Sequence, residues 1–340
     1  MKITAQAPNR IDLAGGTLDI YPLYVFLEGG YTLNAAIDLY SRVELETRDD
    51  DVFSFKSVDM EAELQLSRAA LLNGSADDSL FRLLIEIVRF YLPATGLNVV
   101  SHNQAPKGSG LGASSALLIA LSGALNQLNC QYADGESLIR HGADLEAWSL
   151  GIPTGKQDYY AALYGGLQAI HFGKAGIKRE CLQPSADFMN RLNAGLVLSF
   201  TGQSHFSGTN NWNMVKRYID DSGDTREALR RIGQTSARLR EALKAEKMDT
   251  VHQLINEEWK NRKALAEGVS NDMIESMIAA AASAGASASK ICGAGGGGCL
   301  LTLCPPERRE AVQLALSETG AEIMQQRIVF QGLQVTSVEA

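Results

Sequence analysis

Pro106-Lys107-Gly108-Ser109-Gly110-Leu111-Gly112-Ala113-Ser114-Ser115-Ala116 places three glycines at alternate positions and follows them with two serines. Upstream, Leu97 to Ser101 (LNVVS) reads as a strand. Downstream, Ser114 to Leu128 sets Leu117, Leu118, Leu121, Leu125 and Leu128 on one broad helical stripe. A strand, a glycine turn and a helix start together make a place for an anion. Glycine has no Cβ, so its backbone can approach a phosphate closely. The free N–H groups and the macrodipole at a helix N-terminus favour negative charge. Ser114 and Ser115 fall in the first helical turn, where a hydroxyl can bond a phosphate oxygen or a hard cation held by it. The plain alternative is a glycine-rich turn closed by a serine cap.

Two common phosphate motifs do not account for the segment. A Walker A loop needs GxxxxGK[ST]; Gly151-Ile152-Pro153-Thr154-Gly155-Lys156 is one residue short and continues with Gln157. The Rossmann pattern GxGxxG/A occurs twice by letter. Gly108, Gly110 and Ala113 form the first copy, but the stretch before Asp134 (NQLNCQY) shows no β run to supply the next strand. Gly293, Gly295 and Gly298 form the second, and it leads into Cys299–Leu303, a strand where the pattern requires a helix. A dinucleotide-binding oxidoreductase is therefore the weaker rival.

The remaining composition excludes several classes. The chain has 340 residues, 45% hydrophobic and 21% charged, with a net charge of −8. That is a globular composition with length for one large or two medium domains. The negative balance argues against a sequence-independent grip on nucleic acid. No apolar stretch reaches the roughly 18 residues of a membrane span, and MKITAQAPNRIDLAGG lacks a signal-peptide core. No nucleic acid or membrane partner and a cytoplasmic location are the expectations. Cys130, Cys181, Cys292, Cys299 and Cys304 form no CxxC pair, and the five histidines show no HExxH spacing. Neither a disulfide framework nor structural zinc is expected.

Segments elsewhere alternate between strand and helix character. Lys2 to Ala7, Val43 to Thr47 and Val52 to Phe55 read as strands; Leu80 to Tyr91 and residues 134–149, opened by an Asp134 cap, read as helices. Composition shifts at QPSADFMNRLNAG, near residue 185. Residues 222–285 are strongly helical, and strand character returns at Cys299–Leu303 and Arg327–Val338. Two α+β domains, 1–185 and 186–340, follow.

Three segments then carry a family resemblance. Ala7-Pro8-Asn9-Arg10-Ile11-Asp12-Leu13-Ala14-Gly15-Gly16, the Pro106–Ala116 segment, and Lys290-Ile291-Cys292-Gly293-Ala294-Gly295-Gly296-Gly297-Gly298-Cys299 resemble, in order and spacing, the three signature motifs of the GHMP kinases. The resemblance implies a ribosomal protein S5 domain 2-like N-terminal domain and a ferredoxin-like C-terminal domain, with ATP and Mg2+ serving phosphoryl transfer to an alcohol. Leu33–Tyr40, Gly155–Ala161, Phe200-Thr201-Gly202, Trp259 with Lys263, and Ser270-Asn271 resemble bacterial heptose-phosphate kinases and their sugar-kinase relatives. This implies phosphorylation of the anomeric hydroxyl of a heptose 7-phosphate. The sequence departs from that group at Gly15-Gly16-Thr17-Leu18-Asp19, where AGGGTD is usual, and at His205, where an arginine could serve a substrate phosphate. A free sugar or uronic acid (galactose, fucose, arabinose or glucuronate type) is the alternative, with a mevalonate-type or homoserine-type kinase behind it.

The same resemblance assigns expected roles. Pro106, Lys107, Gly108, Ser109, Gly110, Leu111, Gly112, Ala113, Ser114 and Ser115 bind ATP. Ser114 and Glu146 hold the metal, Glu146 standing twelve residues before the candidate base Asp158. Asp158 follows Pro153-Thr154-Gly155 and is expected in a loop before a helix. Arg10 is its expected partner; a cation there would lower the carboxylate's pKa, so that Asp158 orients a hydroxyl more than it deprotonates it. Asp19 is the expected sugar ligand, with Thr17 and Tyr21 in the same pocket, because a carboxylate accepts two hydrogen bonds from adjacent hydroxyls. Gly295 and Gly296 are placed beside the substrate, in a glycine run that lets two backbones meet beneath the site. Trp148 and Trp212 are expected in the core or pocket wall, His205 at a polar pocket or surface, and the run Arg226–Lys247 on a solvated helix face. A homodimer is the expected assembly.

Overall fold

A computed structural model of the protein describes residues 1–27, 29–74, 80–131, 133–204 and 207–338. The first seven strands are β1 (Lys2–Ala14), β2 (Gly30–Thr47), β3 (Val52–Ser57), β4 (Ala62–Ser67), β5 (Leu97–Asn103), β6 (Leu167–Gly173) and β7 (Gly176–Leu182). They belong to one sheet in which β2 is the hub. Its Leu33–Glu46 stretch pairs with β1, its Gly30–Ala35 half with β6, and its Ser41–Thr47 half with β5. All pairings are antiparallel except β3 with β5. The β1–β2 register slips between Pro8 and Asn9 and again between Asp12 and Ala14. Such bulges bend a strand and re-aim its side chains, and here they bracket Arg10 and Asp12.

One face of this sheet is covered by the helices Arg82–Tyr91, Ala113–Leu128, Gly135–Leu150 and Gln157–Tyr164, around a core that includes Phe53, Phe55, Leu118, Leu121 and Tyr159. The leucine stripe of Ala113–Leu128 widens in the fold: every residue from Ser115 to Leu125 is buried, because the helix lies between the sheet and its neighbouring helices. The expected cap is present, with Asp134 accepting from the Ser137 N–H at 2.7 Å.

The second sheet is antiparallel, β11-β8-β10-β9, formed by β8 (Leu196–Phe200), β9 (Ala288–Ile291), β10 (Cys299–Leu303) and β11 (Glu322–Met324). The helices Thr225–Lys244, Met248–Lys263, Asp272–Ser283 and Arg309–Glu318 accompany it. The outer face of Thr225–Lys244 carries exposed pairs such as Glu227 with Arg230 and Arg231. The last strand, β12 (Gln334–Val338), leaves this unit and pairs with β1 from Lys2 to Gln6. The second half thus runs back into the first sheet, and of the expected strand Arg327–Val338 residues 334–338 form a strand while Ile328 makes an isolated antiparallel bridge to Ile37.

The two halves share hydrophobic contacts. Ile11, Leu13 and Leu33 pack in one cluster with Leu196, Leu239 and Leu254, while Leu18, Ile20 and Leu23 pack with Ile232, Trp259 and Ile274. The turn between β1 and β2 is therefore anchored in the helices of the second half. Trp148 and Trp212 depart from expectation, being 68% and 53% exposed. The helix Gly135–Leu150 turns Ile139, Ala143 and Glu146 inward, which leaves position 148 on its outer side. Among the described residues no helix is long and apolar enough to cross a membrane.

Candidate active site

A cleft of about 610 Å³ lies between the two halves, and Lys107 to Ser114 line it without a break. Gly108, Gly110 and Gly112 all have left-handed backbones, with φ of 70°, 72° and 74°, a region costly for residues with a Cβ. Space is short as well. A Cβ at Gly110 would stand 2.5 Å from the Cys292 carbonyl oxygen, and one at Gly298 would stand 2.7 Å from that of Ser109. The loop is pinned from two sides: the Cys299 N–H donates to the Ser109 carbonyl at 2.7 Å, and the Arg10 N–H donates to the Leu111 carbonyl at 2.9 Å. Gly112 is the N-cap of Ala113–Leu128, and no side chain caps the helix. The serine-cap alternative therefore fails. The first-turn N–H groups are open to an anion, and a glycine cradle with an uncapped helix start fits a nucleotide's phosphates.

Arg10 and Asp158 stand beside that cradle. Arg10, buried on β1, donates through Nε to Asp158 Oδ1 at 2.7 Å, and its NH2 lies 2.7 Å from the same oxygen. Another guanidinium nitrogen bonds the Gly110 carbonyl. Asp158 sits in the first turn of the helix Gln157–Tyr164 rather than in the expected loop, where the helix dipole favours its charge. Its side chain keeps 21% of its surface open, and a Cβ at Gly112 would touch its carboxyl group at 3.0 Å. The pKa of Asp158 is raised, not lowered: burial outweighs the pull of Arg10.

Glu146 is buried beneath the serines, not on a solvated helix face. It accepts from Ser114 Oγ at 2.5 Å, from Ser115 Oγ at 3.1 Å and from the Tyr159 hydroxyl. Burial raises its pKa and the hydroxyl bonds oppose that. Ser114 lines the cleft with Glu146, while Ser115 is turned into the core. One hydroxyl and one carboxylate suit Mg2+, which takes few protein ligands and keeps several waters. Among the described residues no cluster of three or more acidic, His or Cys side chains forms a metal site of its own.

Thr17, Asp19 and Gln157 also line the cleft, Gln157 being the chain neighbour of Asp158. Asp19 accepts from the Gln157 N–H at 2.9 Å. Burial pushes its pKa up to about 6, with Asp158 and Asp12 adding to the rise and the Gln157 bond opposing it. Tyr21 does not join them: it is 64% exposed and packs edge-on against Tyr24. Gly295 and Gly296 also lie outside the lining. A Cβ at Gly295 would strike the Val269 carbonyl at 2.5 Å, and the Gly296 N–H donates to that same oxygen at 2.8 Å. They serve close packing, while Gly293 and Ala294 reach the cleft. Pro106 stands behind the loop, its carbonyl accepting from the Ser109 N–H at 3.1 Å. His205 lies outside the described residues. Sequence reasoning missed Asp59, Arg82, Asn103, Ser204 and Asn211, which also line the cleft. None belongs to a motif, and only the fold gathers them.

Open amides of a glycine loop beside a carboxylate–guanidinium pair suit a small-molecule kinase. Residues 79–166 match the family model for the GHMP kinases N terminal domain, and residues 239–322 match that for GHMP kinases C terminal. The D-glycero-alpha-D-manno-heptose 7-phosphate kinase of Campylobacter jejuni is 30% identical, over 90% of this chain and 91% of that protein. The mevalonate kinase of Thermococcus onnurineus is 28% identical over 99% of each. A crystal structure of a D-glycero-D-manno-heptose 1-phosphate kinase from Bacteroides thetaiotaomicron superposes with a TM-score of 0.80 at 25% identity, covering 99% of this chain and all of that one. The chain belongs to the GHMP kinases: it has their two-domain α+β fold and is an ATP-dependent phosphotransferase with an alcohol acceptor.

The backbone contact under the loop is testable. Gly110→Ala adds a clash to left-handed strain and is expected to destabilise the protein by more than about 2 kcal/mol and to weaken ATP binding. Gly151→Ala has a similar φ of 68° but nothing within 4 Å, so strain alone should cost about 1 kcal/mol and leave ATP binding intact. Thermal melts with and without ATP compare the two; equal behaviour would remove the contact as a constraint.

Proposed function

We propose that the protein phosphorylates a sugar or sugar-phosphate hydroxyl, with the anomeric hydroxyl of a heptose 7-phosphate as first candidate. The observation that carries this reading is the Arg10–Asp158 pair, bonded to the Gly110 carbonyl of the glycine loop and one residue along the chain from the Gln157 N–H that donates to Asp19. MgATP, when bound, supplies the phosphoryl group and neutralises much of its charge. The amides of the glycine loop and the open helix start would hold its phosphates, and Ser114 with Glu146 would hold the ion. Both bonds from Arg10 fall on Asp158 Oδ1, leaving Oδ2 for an acceptor hydroxyl. A carboxyl raised by burial is a stronger base than a free one, so Asp158 both orients the hydroxyl and accepts its proton. Arg10 holds that carboxylate in place and stands by the charge that develops. Asp19 accepts hydrogen bonds from the sugar.

The heptose candidate is supported by the similarity to the Campylobacter jejuni enzyme. A mevalonate-type kinase is the second reading, supported by the full-length similarity to the Thermococcus onnurineus enzyme. ADP release over a panel of heptose 7-phosphate, galactose, fucose, arabinose, uronic acids and mevalonate separates them. Turnover with mevalonate and none with any sugar would overturn the sugar reading.

Three variants test the roles. Asp158→Asn keeps the shape against Gly112 and should lower kcat by roughly 10²–10⁴-fold with ATP affinity nearly unchanged; wild-type turnover would remove Asp158 from the chemistry. Ser114→Ala should raise the Mg2+ concentration for half-maximal rate by about tenfold, measured by metal titration. Asp19 couples function to stability. Its folded pKa of about 6 lies above that of a free aspartate, so stability present below about pH 4 is lost as pH rises through 6, on the order of 2–3 kcal/mol by neutrality. Asp19→Asn is expected to melt higher than wild type at pH 7 while its acceptor KM rises. In the wild type the acceptor kcat/KM should fall as pH drops through 6.

A further inference from the structure

Four charges lie beneath the turn that leads to Asp19, all 0% exposed: Asp12 on β1, Lys290 on β9, and Glu258 and Arg262 on the helix Met248–Lys263. Their formal charges cancel. Lys290 Nζ lies 3.2 Å from both Asp12 Oδ2 and Glu258 Oε2. Arg262 donates to Glu258 Oε1 through Nε at 2.9 Å and NH2 at 2.5 Å, and stands 4.0 Å from Asp12 Oδ2. Burying charges is costly, and a packed apolar group often serves stability as well. Stability alone is therefore a poor reason for an arginine here.

Arg262 does more than pair. Its NH2 also donates to the Gly16 carbonyl at 3.0 Å, and its NH1 lies 3.5 Å from Thr17 Oγ1. Gly16 has no spare room: a Cβ there would stand 2.9 Å from Asp12 Oδ2, 3.1 Å from Arg262 NH2 and 3.2 Å from Gln157 Nε2. Thr17 has φ 79°, a conformation that a β-branched residue keeps only when its surroundings impose it. Two residues on is Asp19, buried and facing the cleft. The grip thus reaches from a helix of the second half to the one turn that presents the acceptor-side carboxylate.

We propose that Arg262 is a positioning residue for acceptor binding: clamped flat by Glu258, its guanidinium holds the Gly16 carbonyl and the Thr17 hydroxyl and so fixes the strained turn that aims Asp19. The inference rests on Asp19 being the sugar ligand. A lysine keeps the charge but lacks the fork that serves Glu258 and Gly16 together. If Arg262 merely stapled the two halves, its loss would lower stability and harm ATP and acceptor binding alike.

The test uses the full-length enzyme with ATP and the acceptor from the panel that supports turnover. Arg262→Met with Glu258→Gln removes one charge of each sign and leaves the neutral Asp12–Lys290 pair, so the core stays balanced. The expected result is an acceptor KM raised at least tenfold with ATP KM within twofold. The acid limb of acceptor kcat/KM should move above its wild-type position, because the Arg262 charge that acts on Asp19 is gone while the charges of Asp158 on the helix Gln157–Tyr164 and Asp12 on β1, which raise Asp19, remain. Arg262→Lys should restore the pH position more than the KM, and it decides the matter if the double variant does not fold. An unchanged acceptor KM, or parallel rises in both KM values with a fall in Tm, overturns the proposal. Asp19→Asn is run beside them. A wild-type acceptor KM in that variant sinks the reading of Asp19 itself, whereas an effect there with none at Arg262 sinks only the positioning role.

Discussion

Backbone meets backbone where the loop 108–112 rests on the second glycine run, and the cleft is built around that contact. The Ser109 carbonyl accepts from Cys299, and Gly110 lies against the Cys292 carbonyl, with no side chain between them. Cys292 and Cys299 flank the glycine run between β9 and β10 of the second sheet. The loop therefore takes its shape from the half of the chain that does not contain it. The same contact sets the floor of the phosphate cradle, and from there the Gly110 and Leu111 carbonyls hold Arg10.

Electrostatics in the cleft is a contest between burial and partners, decided differently at each carboxylate. Asp12 is pulled below the usual range: burial opposes its charge, and Lys290, Arg262 and Arg10 outweigh burial. At Asp158 one arginine does not outweigh it, and at Asp19 the main compensation is a backbone N–H. Glu146 relies on three hydroxyls. Asp158, Asp19 and Glu146, which line the cleft, are thus all pushed up by burial, each against a different partner, while Asp12 beneath it is held down by its cations.

Much of this was legible before the fold was known. The glycine spacing foretold a cradle at a helix start, and Asp134 marked a helix cap that the structure contains. The departures are matters of orientation. Tyr21 is two residues from Asp19 and the resemblance places Gly295 and Gly296 beside the substrate, yet the chain turns Tyr21 outward and sets both glycines against Val269. The apolar bulk of Trp148 and Trp212 points to a core or pocket wall but does not say which face of a helix they occupy. Arg82, Asn103 and Asn211 carry no local pattern at all, and nothing short of their convergence could have found them.

Local chemistry is written in the chain itself: where glycine must stand, where a helix can begin, which residues can accept a proton or hold a hard cation. These follow from covalent geometry and short-range hydrogen bonding, which need only neighbours. The tertiary structure alone decided the sign of the Asp158 shift, the burial of Glu146, and the joining of Asp12, Glu258, Arg262 and Lys290 from three distant segments. Those depend on desolvation and on distances through space, and neither quantity exists until the chain has folded, nor, for the buried charge cluster, until the two halves have closed on each other.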